Sequence, residues 1–151
     1  MKRAAFEVFR FGVLACLAAI CAQAATMTTE PLYQRFEFRN DGQSAVTGVT
    51  VVYGAATLPR GGRPRDFPYH MLTLSESEVV PVPDSATIRW TSADGQHHEI
   101  VAPVRKFIDN IACFHGFRFV FVNDHVDIYL LKRMYDCTRL LDLERIKVYP
   151  P

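Results

Sequence analysis

The run His97-His98-Glu99 sets two imidazoles beside a carboxylate, and on a strand His97 and Glu99 would share one face. A zinc centre needs three or four convergent ligands, and no HExxH or paired CxxC motif supplies the remainder. His115 or His125 could join only through tertiary proximity. Beside the Asp94-Gly95 turn, the run reads as the polar face of a hairpin. Cys113 and His115 stand two apart, the spacing of one strand face, but a nucleophilic pair also needs an orienting third group. Ser75, Ser77 and Ser85 lack the Gly-x-Ser-x-Gly elbow that exposes a nucleophile. Gly61-Gly62 has no Lys-Ser or Lys-Thr behind it and opens no helix, so it is no phosphate loop. Glu76, Glu78 and Asp84 read as a solvated acidic run, and Asp124 and Asp127 lack EF-hand spacing. The sequence therefore predicts no catalytic residue, no metal and no cofactor.

Residues suited to binding are easier to find. Leu58 to Tyr69 carries three arginines, two glycines and three prolines, and is predicted to be a long loop. Loops of about 12 residues are uncommon in compact domains unless they serve a function. Arg60, Arg63 and Arg65 would meet an acidic surface, and Phe67 and Tyr69 would supply aromatic anchors. With His98 from the hairpin, these six form the predicted partner-binding set.

The elements that must position them are strands. Tyr33 to Arg39 alternates aromatic and polar residues, placing Phe36 and Phe38 on one face, and Asn40-Asp41-Gly42 closes the segment. Val46 to Tyr53 is rich in Val and Thr, which suit a pleated surface. Ala86 to Thr91 alternates again, with Ala86, Ile88 and Trp90 inward. Asp94-Gly95 then predicts a hairpin to His97–Ala102. A second hairpin is predicted around Asn123-Asp124-His125, joining Phe117–Val122 to Val126–Leu131. The first of these two strands is apolar on nearly every residue and is predicted to lie at the centre of the core. Val104 to Ala112 could hold one helical turn, and Cys137 to Ile146 could be a short helix or a last strand. Nine prolines oppose long helices. The expected fold is all-β: one antiparallel β-sandwich, immunoglobulin-like or related, with at most one or two short helices.

The first 24 residues have a separate role. Lys2, Arg3 and Arg10 form a basic region, Gly12 to Ile20 an apolar one, and Ala22-Gln23-Ala24 a small-residue cleavage site. This is the pattern of an export signal, leaving a single mature domain over 25–151 and predicting a periplasmic location. Val13-Leu14-Ala15-Cys16 loosely resembles a lipoprotein cleavage box, so a lipid anchor at Cys16 and an outer-membrane location stand as the alternative. Cleavage takes the 17 basic and 16 acidic residues to 14 and 15. Such near-neutrality lacks the basic excess of a nucleic-acid-binding domain. Cys113 and Cys137 alone then remain, and in an oxidising compartment they most simply pair. Two buried free thiols are the alternative, and without a CxxC motif thiol–disulfide exchange is not supported.

Three stretches carry a resemblance: Val49 to Gly54, Val79 to Trp90, and Thr91 to Arg105. A strand ending in Arg-Trp, an Asp-Gly hairpin and a strand running into Ala-Pro-Val-Arg resembles small exported proteins and lipoproteins of Gram-negative bacteria. Some of these are encoded beside type VI secretion effectors, notably antibacterial phospholipases, and serve as their immunity partners. The resemblance implies a periplasmic protein that binds and blocks a secreted toxin or lipase, with no chemistry of its own. The alternative is a structural or adaptor subunit of an envelope assembly that acts by strand addition at an open sheet edge.

Overall fold

The computed structural model describes residues 30–69, 73–133, 137 and 143–150. The predicted export segment 1–24, with Cys16, lies outside them. The described residues form ten strands and one short helical turn, in order β1 (Leu32–Asn40), β2 (Val46–Tyr53), β3 (Ala56–Leu58), β4 (Arg65–Phe67), β5 (Leu74–Val80), β6 (Ala86–Thr91), β7 (His97–Ala102), a 3-10 turn (Val104–Phe107), β8 (Phe114–Val122), β9 (His125–Arg133) and β10 (Leu143–Tyr149). One sheet has the order β10-β9-β8-β1-β5. The other runs β3-β2-β6-β7, with β4 also pairing with β2. The fold is the expected all-β sandwich.

Alternation builds the two inner faces, because successive side chains on a strand point to opposite sides. Phe36 and Phe38 of β1, Phe117, Phe119 and Phe121 of β8, and Ile128 of β9 are fully buried. They face Val49, Val51 and Tyr53 of β2 with Ile88 and Trp90 of β6 in one cluster. Aromatic edges and faces fill the space between. Phe36 meets Tyr53 edge-on at 5.0 Å, Phe38 stacks on Phe119 at 5.5 Å, and Trp90 meets Phe121 at 5.8 Å. Both predicted hairpins form: β6 pairs with β7 and β8 with β9, each antiparallel.

Three features depart from the sequence expectations. First, β1 and β8 pair in parallel, Phe36 opposite Phe117 and Phe38 opposite Phe119. After β1 the chain crosses to the other sheet, returns for β5, crosses again for β6 and β7 and comes back at β8, so no hairpin forces β1 and β8 to run oppositely. Second, the acidic run containing Glu76 and Glu78 is strand β5, which pairs antiparallel with β1. Third, Leu58 to Tyr69 is not a free loop, since β4 pairs with β2 and its Phe67 is fully buried. The stretch from Cys137 ends in strand β10, paired antiparallel with β9.

Buried polar groups pin this frame. The Tyr53 hydroxyl donates to Gln34 Oε1 at 2.7 Å, and Gln34 Nε2 donates to the Val80 carbonyl at 2.6 Å. Burial holds the Tyr53 phenol well above its ordinary pKa, so it remains a donor. Asn40 Nδ2 donates to the carbonyls of Ser44 (2.8 Å) and Phe67 (3.0 Å), tying the end of β4 to β1. Cys113 and Cys137 are disulfide-bonded, with Cα atoms 4.6 Å apart. The cross-link fits an oxidising, exported environment. Among the described residues no helix is long and apolar enough to cross a membrane.

Candidate partner-binding groove

β6 and β7 position the two-histidine hairpin. Their register sets Arg89 opposite Glu99, Trp90 opposite His98 and Thr91 opposite His97. On the outer face Arg89 Nε reaches Glu99 Oε2 at 2.5 Å, and Thr91 Oγ1 lies 2.8 Å from His97 Nδ1. His98 points to the other side and stacks on Trp90, with ring centroids 4.9 Å apart and planes 15° from parallel. Its Nε2 lies 2.8 Å from Ser92 Oγ. Ser92 has one hydroxyl proton, and its shortest partner is the Asp94 carboxylate at 2.5 Å. Ser92 therefore accepts from His98, and the His98 proton sits on Nε2. The Ser92 hydroxyl and the Gln96 backbone N–H hold the Asp94 carboxyl below its usual pKa.

The hairpin forms one wall of a groove of about 400 Å³. Arg89, Trp90, His97, His98 and Glu99 line it on one side and Pro64, between Arg63 and Arg65, on another. Two segments expected to serve together in binding thus meet at one surface. They meet because β4 and β6 flank opposite edges of β2. A bulge between Thr47 and Thr50 leaves room there, and Gly48 takes a positive φ of 64° at that point. The Gly48 N–H donates to Asp66 Oδ1 at 3.0 Å, which holds β4 against the bulge.

The six predicted contact residues divide. Arg63 and Arg65 are exposed beside the groove, and His98 lines it. Tyr69 is exposed, past the end of β4. Arg60 is exposed but committed within the chain: its N–H donates to Glu76 Oε2 at 2.8 Å, and its Nε lies 3.3 Å from Glu78. Burial raises the Glu76 pKa above its ordinary value, partly offset by that N–H. Phe67 is a correction. It stacks between Phe38 (6.0 Å) and Phe121 (6.1 Å) inside the sandwich, so it anchors β4 to the core and presents nothing to a partner. Trp90, which its strand context marks as core, is core: it is 3 % exposed and its ring packs on Phe121.

Among the described residues no three His, Cys, Asp or Glu side chains gather in a way that could hold a metal. His125 stands apart, 3.3 Å from Asp124, and His115 lies on the outer face of the other sheet. On that face a second cluster went unseen in the sequence. Glu37 of central strand β1 is 1 % exposed, with Arg118 Nη2 at 2.5 Å, Arg35 Nε at 3.0 Å and Arg145 Nε at 3.7 Å. The only signal for it was a glutamate between Phe36 and Phe38, which alternation places on the solvent side. Its arginines come from strands 81 or more residues away in sequence, apart from Arg35. No protein-family model, characterised protein or solved structure matches the chain.

Proposed function

We propose that the chain is an exported, periplasmic protein-binding domain that neutralises a secreted antibacterial effector by occlusion. The observation that carries this reading is the convergence of the Arg63–Arg65 segment and the His97–Glu99 hairpin on one groove. Exposed arginines beside a groove match the anchor chemistry of protein interfaces. Occlusion needs a standard interface of roughly 1,600 Å² in total and no chemistry by the inhibitor. The disulfide fits the oxidising compartment in which such a contact would be made. The resemblance to immunity proteins points the same way, toward a lipase-like toxin as the partner.

The test is capture by the tagged, exported chain from an envelope extract, beside the double variant Arg63→Glu/Arg65→Glu. One stoichiometric secreted enzyme should be recovered by the parent chain and lost from the variant, and the parent chain should inhibit that enzyme. Equal recovery by both would remove the groove from the contact. Recovery of envelope structural proteins, released by blocking a sheet edge, would replace the inhibitor with an adaptor acting by strand addition.

A further inference from the structure

The outer face of the β10-β9-β8-β1-β5 sheet holds a concavity of about 540 Å³, away from the groove. Tyr33 and Arg35 of β1, Ser75 and Ser77 of β5, His115 of β8 and Arg133 of β9 line it. Register explains the hollow. Arg35 stands opposite Ser77 on one side and Gly116 on the other, so the row has a short side chain and then none. A Cβ at Gly116 would stand 1.8 Å from the Arg35 carbonyl oxygen, so glycine is what lets β8 approach β1 here.

The lining contains no carboxylate. Arg35 approaches Glu37, but that carboxylate is shared by three guanidinium groups, and the 3.0 Å contact lacks hydrogen-bond alignment. Arg133 has no ion pair among the described residues, and its buried Nε has no hydrogen-bond partner. His115 is 4 % exposed and its Nδ1 is likewise buried without a partner. Tyr33 donates its hydroxyl proton to Ser77 Oγ at 2.8 Å, which leaves the Ser77 proton to be donated elsewhere. The basin is therefore rich in donors and positively charged, and its groups come from four different strands.

We propose that this basin binds a phosphoryl group. Arg133, with Arg35 beside it although shared with Glu37, favours an anion, and arginine is the side chain best matched to phosphate oxygens. Hydroxyls and guanidinium groups arranged around a hollow suit a tetrahedral group with acceptors on several sides better than a planar carboxylate. Burial, then Arg133 and Arg35, lower the pKa of His115, and a bound anion would reverse the electrostatic part of that shift. The group could be free phosphate, a soluble ester or a lipid headgroup, since all present the same oxygens.

Titration of the full chain with inorganic phosphate by calorimetry should give one site per chain. Arg133→Gln and Ser77→Ala should each weaken it, the first by about tenfold or more, with unchanged circular dichroism. Arg63→Gln, on the far sheet, should bind like the parent. In a separate pH titration followed by NMR, the imidazole signals of His115 should move their midpoint to higher pH when phosphate is present. Flotation with phosphatidylglycerol vesicles, but not phosphatidylcholine vesicles, competed by phosphate, would assign the group to a lipid headgroup. Calorimetric binding without flotation would assign it to a soluble species. The proposal is overturned by no heat at millimolar phosphate, by equal affinity in Arg133→Gln, or by acetate binding as tightly as phosphate.

Discussion

Replacing Phe67 with alanine separates a core residue from an interface residue, and the structure sets the size of the effect. The ring is fully buried and stacks on Phe38 and Phe121, at 6.0 and 6.1 Å. Removing it forfeits the transfer free energy of a buried aromatic side chain, about 2–3 kcal/mol. It also leaves a void of about 100 Å³, which at about 24 cal/mol per Å³ adds about 2.4 kcal/mol if nothing relaxes. Partial collapse brings the expected loss to about 4 kcal/mol, within the usual range for Phe→Ala in a core. Against a total of about 5–15 kcal/mol, this is a large fraction of the stability. The natural probe is Trp90, the only tryptophan, whose ring meets Phe121 at 5.8 Å, next to the site of the void. Urea unfolding followed by its fluorescence should show the full loss, and Tm should fall by roughly 15 °C. Arg63→Ala, at an exposed position on the same segment, should stay within about 0.5 kcal/mol of the parent. A Phe67→Ala chain that keeps its stability to within about 1 kcal/mol but loses a partner would refute the placement of Phe67 in the core.

Gly116→Ala should be more disruptive than its one methyl suggests, because the new Cβ would stand 1.8 Å from the Arg35 carbonyl oxygen and φ is 149°. A loss of about 3 kcal/mol or more is expected by urea unfolding, and parent-like stability would contradict the close β1–β8 seam. The folded-state pKa of His115 is lowered by burial and by Arg133 and Arg35, with Glu37 opposing, so the unfolded chain takes up its proton first as pH falls. Its contribution is fully present above the ordinary value of 6.5 and is lost below it. In phosphate-free buffer, stability should fall more steeply below that pH in the parent than in His115→Gln, and parallel pH profiles would refute the shift. The Cys113–Cys137 disulfide spans a sequence separation of 24, so on the loop-entropy estimate reduction should remove about 3.5 kcal/mol, measured as the urea midpoint with and without reductant. An unchanged midpoint would show that the cross-link does not restrain the unfolded chain.

Where neighbouring residues carry their own instructions, the sequence was enough. Alternation placed Phe36, Phe38, Ile88 and Trp90 inward, and turn chemistry at Asp94-Gly95 and Asn123-Asp124 set both hairpins. Those signals are local, because a strand's two faces and a turn's backbone angles are properties of a few consecutive residues. They were also enough for the sandwich class, while the pairing of Cys113 with Cys137 followed from cysteine count and an oxidising compartment. Tertiary structure decided the rest. Phe67 sits among arginines, glycines and prolines and read as a loop anchor, until Asn40 and β2 drew its backbone to the sheet. The strand β5 was hidden because Glu76 and Glu78 look solvated, whereas their carboxylates meet Arg60 across the sheet edge. Neither the groove nor the cationic basin has a motif. Each is made by side chains from strands far apart in sequence, brought together only when β1 pairs in parallel with β8 and β4 closes on β2. Charge convergence of that kind depends on long-range register, and no local pattern of residue types records it.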